Sequence, residues 1–426
     1  MPSLRRTADR LLTRFPRLRF WRPDGPPIEP ADVWIVVLNW KRRDETLACL
    51  ESLKRAQLGG ATVLMVDNGS GDDSVAAVRT RFPGVRVLEL AENRGFAGGC
   101  NAGIREALAH GAKAVMLLNN DTEVADDFLP PMLAVLNRWR WAGAVSGAVF
   151  RSDSRQVLDC AWLDIYFGHG LVRRRGVNAM PGEGFDQICR IGAGLGSFLL
   201  MRASTLERIG LLDEDYFAYH EEVEWCWRAR KAHYAIYYQP FARIWHRGSS
   251  STADRTRPPA LRERPDRPQL ANPIPLSWNP VRTYLGARNS VRFVRQHGSL
   301  RRKAYFALSS LYAVPLELLA VVLDREEELN LGVLTYRRAL TEYCREAEAE
   351  RRSHDPGWSR LAAALRAPRH LFVSLPAEIR RAHARGATAQ IVEHVRGLQD
   401  GWHDRPLPLE RLGLRRPPTA GGRAGP

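Results

Sequence analysis

Four short apolar runs, alternating with stretches of helical character, constrain this chain more than any other feature. VWIVVL (33–38) is continuous and β-rich, and TVLMVD (62–67), VRVLEL (85–90) and AVMLLNND (114–121) repeat that character. Segments 44–56, 73–81, 101–110 and 126–140 read as helices. Buried strands alternating with helices predict an α/β fold with a parallel sheet covered on both faces. In such sheets ligands bind beyond the carboxyl ends of the strands. The residues at those ends are Asn39-Trp40, Asp67-Asn68-Gly69-Ser70 and Asn119-Asn120-Asp121. Polar clusters at three strand ends exceed what turn chemistry needs.

Charge narrows the partners. The 426 residues carry a formal charge of +16, unevenly spread. Residues 1–30 hold seven arginines against three acids, and residues 243–303 hold fourteen basic groups against three. Such patches suit a polyanion: nucleic acid, anionic lipid headgroups or a diphosphate. The six cysteines, at 49, 100, 160, 189, 226 and 344, form no C-x-x-C. They read as reduced thiols of a cytosolic protein, not a disulfide frame or zinc site. The basic N-terminus lacks an apolar core before a small-residue cleavage site, so no secretory signal is expected.

The chain divides by composition into a basic leader (1–30), an α/β domain (31–252), a linker (253–280), a helical extension (281–404) and a tail (405–426) expected to be disordered. The leader segment LLTRFPRLRFW (11–21) reads equally as a membrane-surface segment or a loose tail. Seven prolines between 258 and 280 mark the linker. In the extension, 281–297 and 327–350 read as amphipathic helices. The run AYFALSSLYAVPLELLAVVL (304–323) has one charge, Glu317, and one proline, Pro315. Three placements stay open for it: interfacial or re-entrant, buried in a soluble fold, or spanning a bilayer.

Several clusters can carry chemistry. A carboxylate at Asp67 can accept from a base N–H or a ribose hydroxyl, or D-N-G-S is simply a turn. ENRGFAGGCNAGI (92–104) is a glycine-rich turn before a helix. Gly98 and Gly99 would let backbone approach a ligand. A helix start near Asn101 would offer N–H groups to an anion, or Asn101 would merely cap it. GAGLGS (192–197) lacks the spacing of a dinucleotide loop. In YHEEVEWCWRAR (219–230), Glu224 and Arg228 are spaced for an ion pair, while Glu221 and Glu222 crowd a helix start. Crowded carboxylates raise one another's pKa, as a general base near neutral pH requires. His246, after an apolar run, reads as a structural residue or a ligand.

In this order the motifs resemble the family 2 glycosyltransferases of GT-A fold. The likeness runs from Val33 to about Ser250 through VVLNWKR, VDNGS, ENRGFAGGCNAGI, LLNNDT, the segment 192–230, and Pro240, Ala242 and His246. The nearest flavour is the rhamnosyltransferase-like branch. The resemblance implies an inverting transferase that moves a sugar, rhamnose being one candidate, from a nucleotide diphosphate sugar to a hydroxyl of a lipid-linked or polysaccharide acceptor. It implies that Asn39, Asp67, Asn93, Gly98, Asn101, Asn119 and Asn120 line the donor nucleotide. Asp121 matches the last acid of the D-x-D element and, with His246, would hold Mg2+ or Mn2+. Glu222 matches the base, with Glu221 beside it. Two departures stand out: Asn119 replaces the first D-x-D acid, and the usual Glu-Asp pair is Glu221-Glu222.

The implied place is the cytoplasmic side of the cell membrane, peripheral to it, in envelope polysaccharide synthesis, with no nucleic-acid partner. A pyrophosphorylase would need a glycine-rich basic loop where LNWKRRDET stands. A nucleic-acid binder would need a recognised module. An inactive sugar-nucleotide or polyanion-binding module is the alternative, which Asn119 favours and Asp121 and Glu222 oppose.

Overall fold

A computed structural model describes residues 26–180, 183–247, 280–323 and 387–414. The leader up to residue 25, the linker, the expected helix 327–350 and Cys344 lie outside the described residues. The four apolar runs form β1 (Val33–Asn39), β2 (Thr62–Asp67), β3 (Arg86–Glu89) and β4 (Ala114–Asn119). Between and after them lie α1 (Arg43–Arg55), α2 (Ser74–Arg81), α3 (Gly95–Ala109) and, past β5 (Thr122–Val124), α4 (Leu129–Arg138). Then come β6 (Ala142–Arg151), β7 (Leu158–Cys160), a hairpin of β8 (Trp162–Ile165) and β9 (Val172–Arg175), β10 (Cys189–Ile191) and β11 (Phe198–Arg202). They are followed by α5 (Ala203–Ile209), α6 (Glu221–Lys231) and β12 (Ala235–His246). The extension supplies α7 (Pro280–His297), α8 (Leu300–Leu323) and α9 (Ala387–Trp402).

The sheet order is β10-β12-β6-β11-β4-β1-β2-β3, with β5 on β12 and β7 on β6. β3, β2, β1 and β4 are parallel neighbours, and β11 runs antiparallel between β4 and β6. β1 explains why its sequence is continuous rather than alternating. Trp34 and Val36 enter one core layer with Ile104 of α3, while Val33, Ile35 and Val37 enter the other with Leu50 of α1 and Leu136 of α4. A strand buried on both faces has no wet side to mark with polar residues.

Two sequence expectations change. The helix expected from about Asn101 starts at Gly95. Its glycines form the first turns of a helix pressed on the sheet: a Cβ at Gly103 would lie 2.5 Å from Val36 Cγ1 and 3.0 Å from Val66 Cγ2. Within the tail expected to be disordered, residues 405–414 are described and take a packed course. Leu407, Leu409, Leu412 and Leu414 pack about Phe217, Tyr284 and Leu285. An apolar residue at nearly every second or third position gives that segment a face to bury. The run 304–323 lies within α8, and among the described residues no helix is long and apolar enough to cross a membrane.

Gly103→Val should lower the thermal unfolding midpoint, since overpacking a tight interface costs about 1–3 kcal/mol. A circular-dichroism melt identical to the parent would mean that α3 can move off the sheet.

Candidate active site

The parallel register brings three strand ends into one row. Asn39 pairs with Asp67 across β1 and β2, and Leu38 pairs with Asn119 across β1 and β4. Asn39 is fully buried, and its Nδ2 donates to Asp67 Oδ1 at 2.8 Å and to Ser70 Oγ at 3.1 Å. Its Oδ1 accepts from Thr46 Oγ1 at 2.8 Å. Asn120 Nδ2 donates to Thr46 Oγ1 at 2.8 Å. Asp67 also takes the Ser70 N–H on Oδ2, at 3.0 Å. The D-N-G-S turn and the site are therefore the same object: the turn closes on the carboxylate that it presents. Asn120 is committed to holding strand ends, whereas the buried Asn119 Oδ1 has no partner among the described residues.

The glycine-rich segment behaves otherwise than expected. Asn101 is a buried second-turn residue of α3, and its amide donates to Leu212 O at 2.9 Å and Glu214 Oε1 at 3.0 Å and accepts from Leu212 N. It does not cap the helix, and the carboxylate it meets is the protein's own Glu214. A Cβ at Gly98 would meet Arg94 Cβ at 2.7 Å, and one at Gly99 would meet Leu38 Cδ1 at 2.5 Å. At both positions a side chain would collide with neighbouring protein. Asn93 braces the turn, its Oδ1 accepting from Asn68 Nδ2 and Gly95 N, both at 2.9 Å. A cavity of about 470 Å³ opens beside Asn93, Arg94, Phe217 and Arg288, but Asp67, Asp121 and Glu222 do not line it.

Beyond β4 lies a charged chain. The register of β12 against β6 shifts between Gln239 and Arg243, at Pro240, which has no N–H to give a ladder. The strand then pairs with β5, setting His246 opposite Thr122. His246 Nε2 stands 3.2 Å from Asp121 Oδ1, and its Nδ1 stands 3.8 Å from Asp159 Oδ2. Arg174 Nη2 donates to Asp159 Oδ1 at 2.8 Å. Burial alone would lower the imidazole's pKa, but Asp121 and Asp159 raise it, to about 10. Burial likewise raises Asp159, yet Arg174 and His246 overcome this and hold it well below the usual carboxylate range. Among the described residues no group of three or more His, Cys, Asp or Glu is placed to hold a metal by itself. Asp121 and His246 nevertheless bring a carboxylate and an imidazole together, donor types that a divalent ion takes, and would hold it with further ligands from substrate and water.

The carboxylate pair opens α6. Glu221 is buried, and burial together with the charge of Glu222 pushes its pKa well up. Burial also raises Glu222, but the N–H groups of Glu222 and Val223, then Glu221 and the Gly196 N–H, partly offset it. Burial thus opposes ionisation of both members of the pair. The loop 192–197, no dinucleotide site, borders this pair: a Cβ at Gly196 would lie 3.5 Å from Glu222 Cβ. Ser197 O accepts from Asn119 N at 3.1 Å, joining that loop to the end of β4. Glu224 is a brace, as its spacing suggested. Its oxygens accept from Arg228 Nε at 2.8 and 2.9 Å, and its Oε1 lies 3.0 Å from His297 Nε2. Sequence reasoning did not single out Thr46, Asp159 or Arg174, none of which lies in a motif.

The family model described as Glycosyl transferase family 2 matches residues 34–167. The N-acetylglucosaminyl-diphospho-decaprenol L-rhamnosyltransferase of Mycobacterium tuberculosis is 30% identical over 221 residues, covering 48% of this chain and 72% of that protein. The galactofuranosyltransferase GlfT1 of the same organism is 32% identical over 195 residues, covering 45% of this chain and 62% of its own. A mannosyltransferase of Pyrobaculum calidifontis, solved in complex with GDP-Man and Mn2+, aligns over 89% of this chain and 90% of that one, with 17% identity and a TM-score of 0.46.

Glu224→Ala should destabilise the protein by about 1–3 kcal/mol, because it removes charge-assisted bonds from Arg228, which then keeps those to the carbonyls of Ile209 and Leu211. Urea unfolding would read this as a lower midpoint at unchanged slope, and an unaltered midpoint would refute it.

Proposed function

The chain belongs to the family 2 glycosyltransferases, and on that premise we propose that it transfers a sugar, with inversion, from a nucleotide diphosphate sugar to a hydroxyl of a lipid-linked acceptor. The observation that carries this reading is the convergence of three groups on one edge of the sheet: Asn39 with Asp67, Asp121 with His246, and Glu222 beside Gly196. The first would receive the nucleoside, with Asn119 Oδ1 free to meet a donor hydroxyl. Asp121 and His246 would hold Mg2+ or Mn2+, which when bound offsets the charge of the departing diphosphate. Asp159, 3.8 Å from the ring's Nδ1, would orient the imidazole as an outer carboxylate. The relatives' names, which specify a decaprenol-linked acceptor in one case and rhamnosyl and galactofuranosyl transfer between them, support a lipid-linked acceptor and make rhamnose a candidate sugar.

Glu222 is the base in this reading, with the buried Glu221 beside it. Glu222, whose pKa burial raises, accepts the acceptor's hydroxyl proton as its oxygen attacks the anomeric carbon. The bond to the diphosphate breaks on the opposite face. One carboxylate serves in a single displacement because the diphosphate departs as an anion and needs no proton from the protein.

The acceptor side is supported by α8. Phe306 and Ala313 are buried, and Ser309 Oγ accepts from His169 N at 2.9 Å. On the opposite side Leu300, Leu308 and Leu311 are 84%, 68% and 75% exposed, next to the exposed Arg301 and Lys303. An outward apolar stripe with cations at one end suits an anionic membrane surface. Arg302 stacks over Phe167 at 4.3 Å and over Trp227 of α6 at 5.3 Å, linking this helix to the one that carries Glu222. The enzyme would thus sit peripherally at the inner face of the cell membrane.

A donor screen tests the function: dTDP-, UDP- or GDP-sugars should raise the melting temperature with Mn2+ and much less without it. No shift with any of them would reject the reading. Glu222→Gln should reduce transfer by roughly 10²–10⁴-fold with donor affinity retained, while Glu221→Gln, which mimics the protonated side chain, should stay active. The reverse pattern would move the base to Glu221. Because the Glu222 pKa is raised, activity should fall as pH drops through a value above the 4.5 of an ordinary glutamate. For the membrane contact, Leu308→Glu with Leu311→Glu should abolish co-sedimentation with phosphatidylglycerol vesicles; binding equal to the parent would overturn that role.

A further inference from the structure

The turn that delivers Glu221 and Glu222 is held from a distant part of the chain. Phe217 (φ 61, ψ −62), Tyr219 (φ 69) and His220 (φ 73, ψ 0) adopt left-handed backbone, and none is glycine. Such conformations persist only where surrounding structure imposes them. On one side the turn meets α3: Ala97 N donates to Phe217 O at 3.0 Å, and a Cβ at Gly95 would lie 2.5 Å from that oxygen. On the other side it meets three consecutive residues of α7. Asn289 Nδ2 donates to Tyr216 O at 2.9 Å and to Ala218 O and Tyr219 O, both at 2.8 Å. Its Oδ1 accepts from Arg288 Nη1 at 3.1 Å, which fixes the amide orientation: a cation on the oxygen side, carbonyls on the nitrogen side. Arg288 Nη1 also donates to Asp215 O at 2.8 Å. Ser290 Oγ donates to Gly286 O at 2.8 Å and so is left to accept from His220 Nε2, 3.1 Å away.

We propose that Asn289 is a positioning residue for transfer, holding the 216–220 turn in the one conformation that points Glu222 at the acceptor hydroxyl. This rests on the reading of Glu222 as the base. Asn289 is fully buried and faces backbone carbonyls, so it acts through the turn and touches no substrate itself. Its chemistry is particular. Three carbonyls converge on one NH2 group, and an isosteric carboxylate would supply only acceptors against them. Arg288 ties α7 to the segment after α9 by donating to Arg405 O at 3.1 Å, and Tyr284 OH donates to Asp400 Oδ2 at 2.7 Å. The pair α7 and α9 is therefore part of the catalytic machinery, although Asn289 lies 67 residues beyond Glu222, past the proline-rich stretch.

The test uses the full chain and steady-state kinetics with donor and acceptor varied separately. Asn289→Asp and Asn289→Ala should each lower kcat by about 10- to 100-fold, since a small misplacement of a reacting group has effects of that order. Donor KM and nucleotide affinity should stay within about twofold of the parent, because the Asn39–Asp67 end is untouched. Asn289→Gln, which keeps the amide, should regain part of the lost kcat. Should the Asp and Ala variants fail to fold, Ser290→Ala, which removes only the His220 contact, should still show a several-fold loss of kcat at unchanged donor KM. Parental kcat in these variants would overturn the proposal. So would parallel losses of kcat and donor affinity, the mark of a merely structural role. Glu222→Gln measured alongside separates the two readings: if it retains transfer, the base assignment fails, whatever Asn289 does.

Discussion

The pairing of β1 between β2 and β4 is the constraint on which the rest depends. β1 is buried on both faces, so its register cannot slip by one residue without moving every side chain into the wrong layer. That register sets Asn39 against Asp67 and ends β4 at Asn119. Thr46 and Asn120 then lock the ends together through hydrogen bonds that buried amides need in any case. The polar edge of the sheet is thus not added to a finished fold. Polar groups can exist there, next to two apolar layers, only because each strand end satisfies its neighbour.

Two electrostatic devices sit on that edge, and they work in opposite ways. Around His246 the signs alternate: Asp121, the imidazolium, Asp159 and then Arg174. Each charge offsets the burial of the next, so the chain is stable while charged. At the head of α6 two like groups adjoin, and burial opposes the ionisation of both. The first device is suited to receiving a cation beside a diphosphate. The second keeps a carboxylate weakly solvated and basic. Both are reached from the same strand ends, since Asn119 N bonds to Ser197 O and Gly196 adjoins Glu222.

The sequence made the sheet legible because doubly buried strands leave continuous apolar strings, and the ends of β1, β2 and β4 fall within one or two residues of where those strings stop. Glu224 with Arg228 was legible too, because helical spacing alone brings them together. What was not legible depended on distance in the chain. Asp159 and Arg174 lie in no motif and reach His246 only through the β6–β7 pairing and the fold of the segment after it. The glycines at 98 and 99 have the composition of a ligand loop but serve close packing, a difference that no local pattern encodes. Neither Leu407 nor Leu414 looks like core until α7 supplies Tyr284 to cover.

The same distance explains why the extension cannot be treated as an appendage to the sheet. A left-handed turn without glycine stores strain of about 1–2 kcal/mol per residue, and an α/β domain that ended after β12 would have to bear it with only α3 on one side. α7 supplies the missing partners for the turn's carbonyls, α9 and the segment after it brace α7, and α8 stacks Arg302 on Trp227 of the helix that begins at Glu221. The polar edge that holds Asn39, Asp67 and Asp121 is built by the parallel strands, β12 and Thr46 of α1. The turn before Glu222 is held jointly by the sheet domain and the helices beyond the linker, and α8 among them presents the apolar stripe of Leu308 and Leu311. In the proposed reaction, a lipid-linked acceptor arriving at that stripe would meet the same elements that orient Glu222, so that acceptor docking and alignment of the proposed base would belong to one mechanical unit.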